Sequence, residues 1–242
     1  MQRRTFLQTT IVSASLAFPA GLVQGKQART AEAPFIINAG IGGNNTVDLL
    51  GRIDKDCLAH KPDMTILMIG TNDMNSKKYI PLPEYEKNLR KIIEMILGVK
   101  SEIMLMTILP VHEPYLYTRH EKAFYGSDGH KARKVKVNET IKKAADDYKL
   151  HFLDMHHVFD SIGNVGEESS SLIQNALNSQ KTDGVHPTAD GYRTMAVAIY
   201  EALIRTNAPY QRLVCFGDSI TNGGGGVDGN SYPGYLKRLL GY

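Results

Sequence analysis

The chain has 242 residues, 42% of them apolar and 22% charged, which suits one α/β domain with a full core and argues against intrinsic disorder. A net charge of +3 with no run of Lys and Arg gives no support for a nucleic-acid-binding surface. Two cysteines, Cys57 and Cys215, are too few for a disulfide scaffold.

Residues 1–25 read as an export signal. Arg3 and Arg4 precede an apolar stretch with small residues, and Arg3-Arg4-Thr5-Phe6-Leu7 resembles a twin-arginine signal. A membrane anchor is the alternative, but Pro19 and Gly21 interrupt the stretch. Cleavage after Gly25 removes both arginines and takes the net charge to +1. Residues 26–33 read as a leader, and 34–242 as a single domain.

Within that domain the expected elements alternate. "FIIN" (35–38) is a short strand ending in the Gly-rich turn "AGIGGNN". Thr46 is placed to cap a helix whose inward face would carry Val47, Leu50, Ile53, Cys57 and Leu58. "MTILMIG" (64–70) is a continuous apolar run, as a strand covered on both faces requires. A helix over 84–97 follows, with Tyr85, Leu89, Ile92, Ile93 and Ile96 inward and Gly98 as its stop. "EIMLMTILP" (102–110) is the third strand, and 111–129 reads as a long surface loop. A charged helix over 131–149 would turn Val135, Ile141, Ala144, Ala145 and Tyr148 inward. "HFLD" (151–154) is a short strand. Residues 160–182 read as irregular, with one helical turn near Leu172–Leu177. "DGVHPTADGY" (183–192) opens a helix with Pro187 in its first turn, ending near Thr206. "LVCF" (213–216) is the fifth strand, and 231–241 the last helix. The alternation predicts a doubly wound, three-layer α/β fold on a five-stranded parallel sheet. Both cysteines fall at apolar positions and are expected as buried free thiols.

Four short motifs lie at strand ends or in loops, where sites form in such sheets. Asp183 and His186 of "DGVHPT" are spaced so that the carboxylate can fix the imidazole tautomer. Ser219 of "GDSIT" follows a buried strand. Asn72 of "IGTND" can offer its NH₂ to an oxyanion, and "GIGGN" offers the Gly43 N–H. Each alone reads equally well as a turn. A phosphate cradle is disfavoured, because no Gly-Lys-Ser/Thr follows these glycines and no GxGxxG directly follows a strand.

Together the four stretches resemble the signature blocks of the SGNH hydrolases, the GDSL esterases and lipases. The resemblance covers about residues 34–242. It implies a flavodoxin-like fold, Ser219 as nucleophile, His186 as base and Asp183 as its orienter. It also implies an oxyanion hole of Ser219, Gly43 and Asn72, with no metal or organic cofactor. His156 and His157 would be structural or surface groups. The expected activity is hydrolysis of short-chain, O-acetyl esters on carbohydrate. A lysophospholipase or thioesterase, and a glycan-binding module without turnover, stand as alternatives. The implied partners are a small-molecule or glycan ester substrate, with no nucleic acid and no stable membrane insertion after signal cleavage. The oligomeric state stays open.

One departure is the order of the blocks. The family's serine block comes first, and here it comes last, which reads as a circular permutation. A truncated tandem is the rival account. The resemblance then implies a strand order of 1-5-2-3-4, the last strand inserting between the first two.

Overall fold

The five apolar runs pair into one parallel sheet in the computed structural model, which describes residues 33–162, 165–224 and 228–242. The export-signal reading, and the leader reading up to Glu32, lie outside the described residues. In chain order the elements are β1 (Phe35–Gly40), α1 (Thr46–Asp56), β2 (Met64–Met68), α2 (Leu82–Gly98) and β3 (Glu102–Met106). Then come α3 (Glu113–Leu116), α4 (Gly129–Tyr148), β4 (His151–Leu153), α5 (Met155–Ile162) and α6 (Ala176–Ser179). The series closes with α7 (Ala189–Arg205), β5 (Arg212–Gly217), α8 (Ser219–Asn222) and α9 (Tyr232–Leu240). Among the described residues no helix is long and apolar enough to cross a membrane.

The strand order is β1-β5-β2-β3-β4, as the motif resemblance implied. Successive side chains of a strand point to opposite faces. On β5, Leu213 and Cys215 enter one layer with Met195 and Ile199 of α7 and Leu236 of α9. Val214 and Phe216 enter the other with Leu49 of α1 and Ile92 of α2. All four β5 side chains are fully buried. Burying an aliphatic or aromatic side chain of this kind contributes about 1.5–3 kcal/mol, so the strand is central energetically as well as in position. Cys57 and Cys215 are buried free thiols in opposite layers, with the sheet between them. Burial pushes the Cys57 thiol up to about 11.

Several local expectations are corrected. Asn45, not Thr46, caps α1. Its side chain accepts from Asp48 N (3.0 Å) while Asp48 accepts from Asn45 N (3.0 Å), a reciprocal capping box. The buried stripe is then Leu49, Ile53 and Cys57, and Val47 is half exposed. On α4, Val137 faces in and Val135 out, because the stripe that meets the sheet runs through 137, 141 and 144. Thr188 caps α7 by accepting from Gly191 N, which leaves Pro187 just outside the helix. Segment 111–129 is not a bare loop. It holds α3 and a 3₁₀ turn (Lys122–Tyr125), and Leu116 and Tyr125 bury against Val185 in a small core of their own. Helix α5 was not read from the sequence, although Met155 and Phe159, four apart and both buried, are its signal.

Two glycines set the carboxyl edge of the sheet. A Cβ on Gly217 would lie 2.3 Å from Thr221 Oγ1 and 2.5 Å from the Met68 carbonyl. A Cβ on Gly40 would lie 2.1 Å from the Asn222 nitrogen. Only glycine lets the turn after β5 nest between the ends of β1 and β2.

Two carboxyls are buried at the same edge. Asp73, 1% exposed, accepts from Thr46 Oγ1 (2.6 Å) and Thr46 N (3.0 Å), tying the exit of β2 to the start of α1. Its Oδ2 has no partner among the described residues. Asp218, also 1% exposed, caps α8 by accepting from Ile220 N at 2.9 Å. Burial raises Asp73 to about 6 and Asp218 to about 7.

Two outcomes are expected. Gly217→Ala destabilises by about 1–3 kcal/mol, read as a lowered midpoint of thermal unfolding, because backbone cannot yield to the added methyl. A wild-type melting temperature would contradict the close approach. For Asp218 the folded form binds its proton more tightly than the unfolded chain. Its stabilising contribution is therefore complete below about pH 4 and lost as pH rises through about 7. Asp218→Asn should flatten the stability difference between pH 5 and pH 8 relative to the parent. Equal slopes in thermal melts would show that the carboxyl is not held protonated.

Candidate active site

Ser219 is carried by the backbone, one residue past the Asp218 cap and two past the end of β5. Its Oγ lies 2.9 Å from His186 Nε2. On the far side of the ring, His186 Nδ1 lies 3.0 Å from both oxygens of Asp183. Asp183 Oδ1 also accepts from the backbone N–H of Val185 (2.9 Å) and His186 (2.7 Å). An Nδ1–H that donates to this carboxylate leaves the Nε2 lone pair for the serine hydroxyl. Burial would raise the Asp183 carboxyl, but the hydrogen bonds and charge of His186 and the two backbone donors outweigh it and hold the group well below the usual carboxylate range. Arg119 also approaches this residue, with Nη1 3.5 Å from Asp183 Oδ2 and Nη2 donating to the Asp183 carbonyl.

The Asp183–His186 loop is braced by the segment that the sequence left irregular. Gln174 N donates to His186 O (2.8 Å), Gly184 N to Gln174 O (2.9 Å) and Thr188 N to Leu172 O (2.8 Å). Residues 172–174 thus run beside the loop like a short antiparallel strand, and Gln174 Nε2 adds a bond to Pro187 O at 2.9 Å. No periodicity announces this brace.

Asn72 comes into the same cavity as Ser219 and His186. Its Nδ2 donates to Asn44 O (2.9 Å), and its Oδ1 accepts from Asn75 Nδ2 (3.0 Å). One N–H of the amide therefore stays available. Gly43 sits in the neighbouring turn with φ +76° and open space where a Cβ would be, so backbone conformation rather than room calls for glycine there. The turn reaches the serine through Gly42, whose Cβ position lies 4.0 Å from Ser219 Cβ. Gly43 itself does not line the cavity. Neither the Gly43 N–H nor the Ser219 N–H has a backbone or side-chain acceptor among the described residues. His156 and His157 lie elsewhere, His156 Nε2 being 3.2 Å from Asp160 and His157 Nε2 3.3 Å from Ser161 Oγ.

Ser219 and His186 stand between two spaces. One is a cavity of about 80 Å³, walled by Val111, Leu116 and Val185 beside Asn72 and Arg119. The other is an open cleft of about 380 Å³, walled by Gln174, Lys181, Tyr192, Asn222 and Asn230. A hydroxyl hydrogen-bonded to an oriented imidazole, with free N–H donors nearby, can attack a carbonyl carbon whose oxygen those donors receive.

Residues 13–194 match the model of the GDSL-like Lipase/Acylhydrolase family. An acetylxylan esterase of Geobacillus stearothermophilus is 28% identical over 171 residues, 67% of this chain and 69% of that protein. The uncharacterized lipoprotein YqeF of Bacillus subtilis is 28% identical over 182 residues, 70% and 73% of the two chains. The solved structure of Axe2, an acetylxylan esterase from Geobacillus stearothermophilus, shares the fold with a TM-score of 0.51, at 24% identity, covering 68% of this chain and 69% of that one. The chain belongs to the GDSL-like lipase/acylhydrolase family, the SGNH hydrolases, and is a carboxylic ester hydrolase.

Proposed function

We propose that the protein is an exported esterase that removes short acyl groups, acetyl above all, from carbohydrate, through an acyl-enzyme on Ser219. The observation that carries this reading is the Asp183–His186–Ser219 relay, with contacts of 3.0 and 2.9 Å, set between a small cavity and a larger polar cleft. The cavity is much the smaller of the two spaces and partly walled by apolar side chains, which suits a short acyl group better than a long chain. The cleft offers amide and hydroxyl groups of the kind that bind sugar hydroxyls. The relationship to an acetylxylan esterase supports the same substrate class. Export is supported by the residues 1–25 reading and by a relative described as a lipoprotein.

In this mechanism Ser219 Oγ attacks the ester carbonyl as His186 Nε2 takes its proton, and Asp183 stabilises the imidazolium. The oxyanion accepts from the Ser219 N–H, the Gly43 N–H and the Asn72 amide. Collapse expels the sugar hydroxyl, which receives the proton from His186, and leaves acetyl-Ser219. Water enters, gives its proton to His186 and attacks the acyl carbon. Acetate departs, and the proton returns to Ser219.

We further propose that the chain carries its family's blocks in circularly permuted order. The serine block follows the Asp/His block in sequence, and β5 nonetheless inserts between β1 and β2. The family match stops at residue 194, short of β5. The Tyr242 hydroxyl donates to Tyr210 O, next to Gln211, whose carbonyl accepts from Phe35 N at 2.9 Å.

Both readings have direct tests. Nitrophenyl acetate and acetylated xylooligosaccharides should be hydrolysed, with kcat/KM lower by about 10-fold or more for an octanoyl ester. Asn72→Ala should lower kcat by about 10²–10³-fold, and Ser219→Ala should leave no turnover. Hydrolysis surviving in Ser219→Ala would refute the nucleophile, and a preference for octanoyl would point to a lipase. For the permutation, Tyr242 joined to Pro34 by a short linker, with new ends opened at 208–210, should fold and keep its turnover. An insoluble or inactive product would count against it.

A further inference from the structure

Arg52, on α1, was not singled out by any motif. Its side chain is 13% exposed, and the guanidinium lies 4.6 Å over the Phe216 ring of β5. Nε–H donates to Asn44 Oδ1 (2.7 Å), and Nη2 to the Gly217 carbonyl (2.8 Å). Nη1 donates to the Ala39 carbonyl (2.9 Å) and to Asp56 Oδ2 (3.1 Å). Three of these acceptors belong to the segments that present the site. Ala39 is at the end of β1, Asn44 directly follows Gly43, and Gly217 lies two residues before Ser219. The Asn44 carbonyl in turn receives the Asn72 amide at 2.9 Å. One planar fork therefore reaches the Gly43 turn and the Ser219 turn directly, and Asn72 through one intermediate.

A charge covered this far is expensive to bury unless it is paired and hydrogen-bonded. Asp56 supplies the counter-charge, but it sits on the same helix and needs no Arg at this spot to satisfy it. The neutral acceptors are the informative ones. A guanidinium presents five N–H groups in fixed directions, so its bonds constrain the relative positions of what they hold. Lysine at the same place has a single rotatable ammonium and cannot span all three segments.

We propose that Arg52 is a positioning residue that holds the Gly43 turn, and through Asn44 the Asn72 amide, in register with Ser219. This rests on the roles given above to Ser219, Gly43 and Asn72. Misplacing such groups by about 1 Å is enough to reduce rate by about 10²-fold.

The test compares Arg52→Lys and Arg52→Met with the parent, assayed well below each variant's melting temperature. The expected result is a kcat lower by about 10–100-fold with KM within about twofold, and no rescue by lysine. Combined with Asn72→Ala, either change should lower kcat little beyond Asn72→Ala alone, because both act on the same oxyanion contacts. Asp56→Asn, which keeps the three neutral acceptors, should retain the parent kcat. Wild-type kcat in a folded Arg52→Lys, or effects that multiply with Asn72→Ala, would overturn the assignment and leave Arg52 as a stability residue. Should the Arg52 variants not fold, Asn44→Ala cuts one tether and keeps the charge. A lowered kcat coupled to Asn72 supports the proposal there, and an unchanged kcat overturns it. Ser219→Ala separates the two levels: turnover persisting in it sinks the nucleophile assignment, whereas its loss beside a wild-type Arg52→Lys sinks only the positioning role.

Discussion

The turn after β5 lies so close to the ends of β1 and β2 that no Cβ fits at Gly40 or Gly217. That approach is the constraint on which the site depends. It lets Asp218 and Ser219 leave the sheet at its carboxyl edge without a gap beneath them. It also requires β5 to lie between β1 and β2, paired in parallel with both. In an open α/β sheet this is the topological switch point, where connections diverge to opposite faces and leave a crevice. The hydroxyl of Ser219 projects into that crevice because neighbours on both sides hold its backbone from below.

Around this point the fold treats its carboxyls in two ways. Asp183 keeps its charge, because imidazole and two backbone donors surround it. Asp73 and Asp218 are buried with too few donors for two anions, and burial raises both. The same side chain thus serves as a fixed anion facing His186 and, past the ends of β2 and β5, as a buried carboxyl that holds its proton more tightly than a free one. Pairs of titratable groups pushed apart by their surroundings mark sites where proton chemistry is organised. Arg52 supplies the complementary element, a covered cation whose partners are mostly carbonyls at the rim of the same crevice.

Much of this was legible in the residues. Nearly unbroken apolar runs such as "MTILMIG" and "LVCF" announce strands covered on both faces, where a polar residue such as Thr65 is kept only with a partner, here Ser101 Oγ at 3.0 Å. Tyr85, Leu89, Ile92, Ile93 and Ile96 mark the inner face of α2 because helical spacing stacks them on one side. Asp183 and His186 are three apart, so a single turn brings carboxylate to imidazole with little help from elsewhere. Local rules erred where two choices were nearly degenerate: Asn45 and Thr46 can both cap, and Val135 and Val137 differ only in which side of α4 meets the sheet. Helix α5 is only eight residues long, and its signal is two buried anchors four residues apart.

The sequence by itself determined the strands, the principal helices and the chemical groups, because each depends on residues a few positions apart. Tertiary structure decided what those groups face. Ser219 is 33 residues from His186 and 147 from Asn72, and no periodicity carries information over such separations. The brace at 172–174, the reach of Arg119 to Asp183 and the span of Arg52 across β1 and β5 arise only when the sheet closes around its last strand. Hydrogen bonds between distant segments depend on where whole elements dock, and docking is set by the summed burial of both layers rather than by any local pattern.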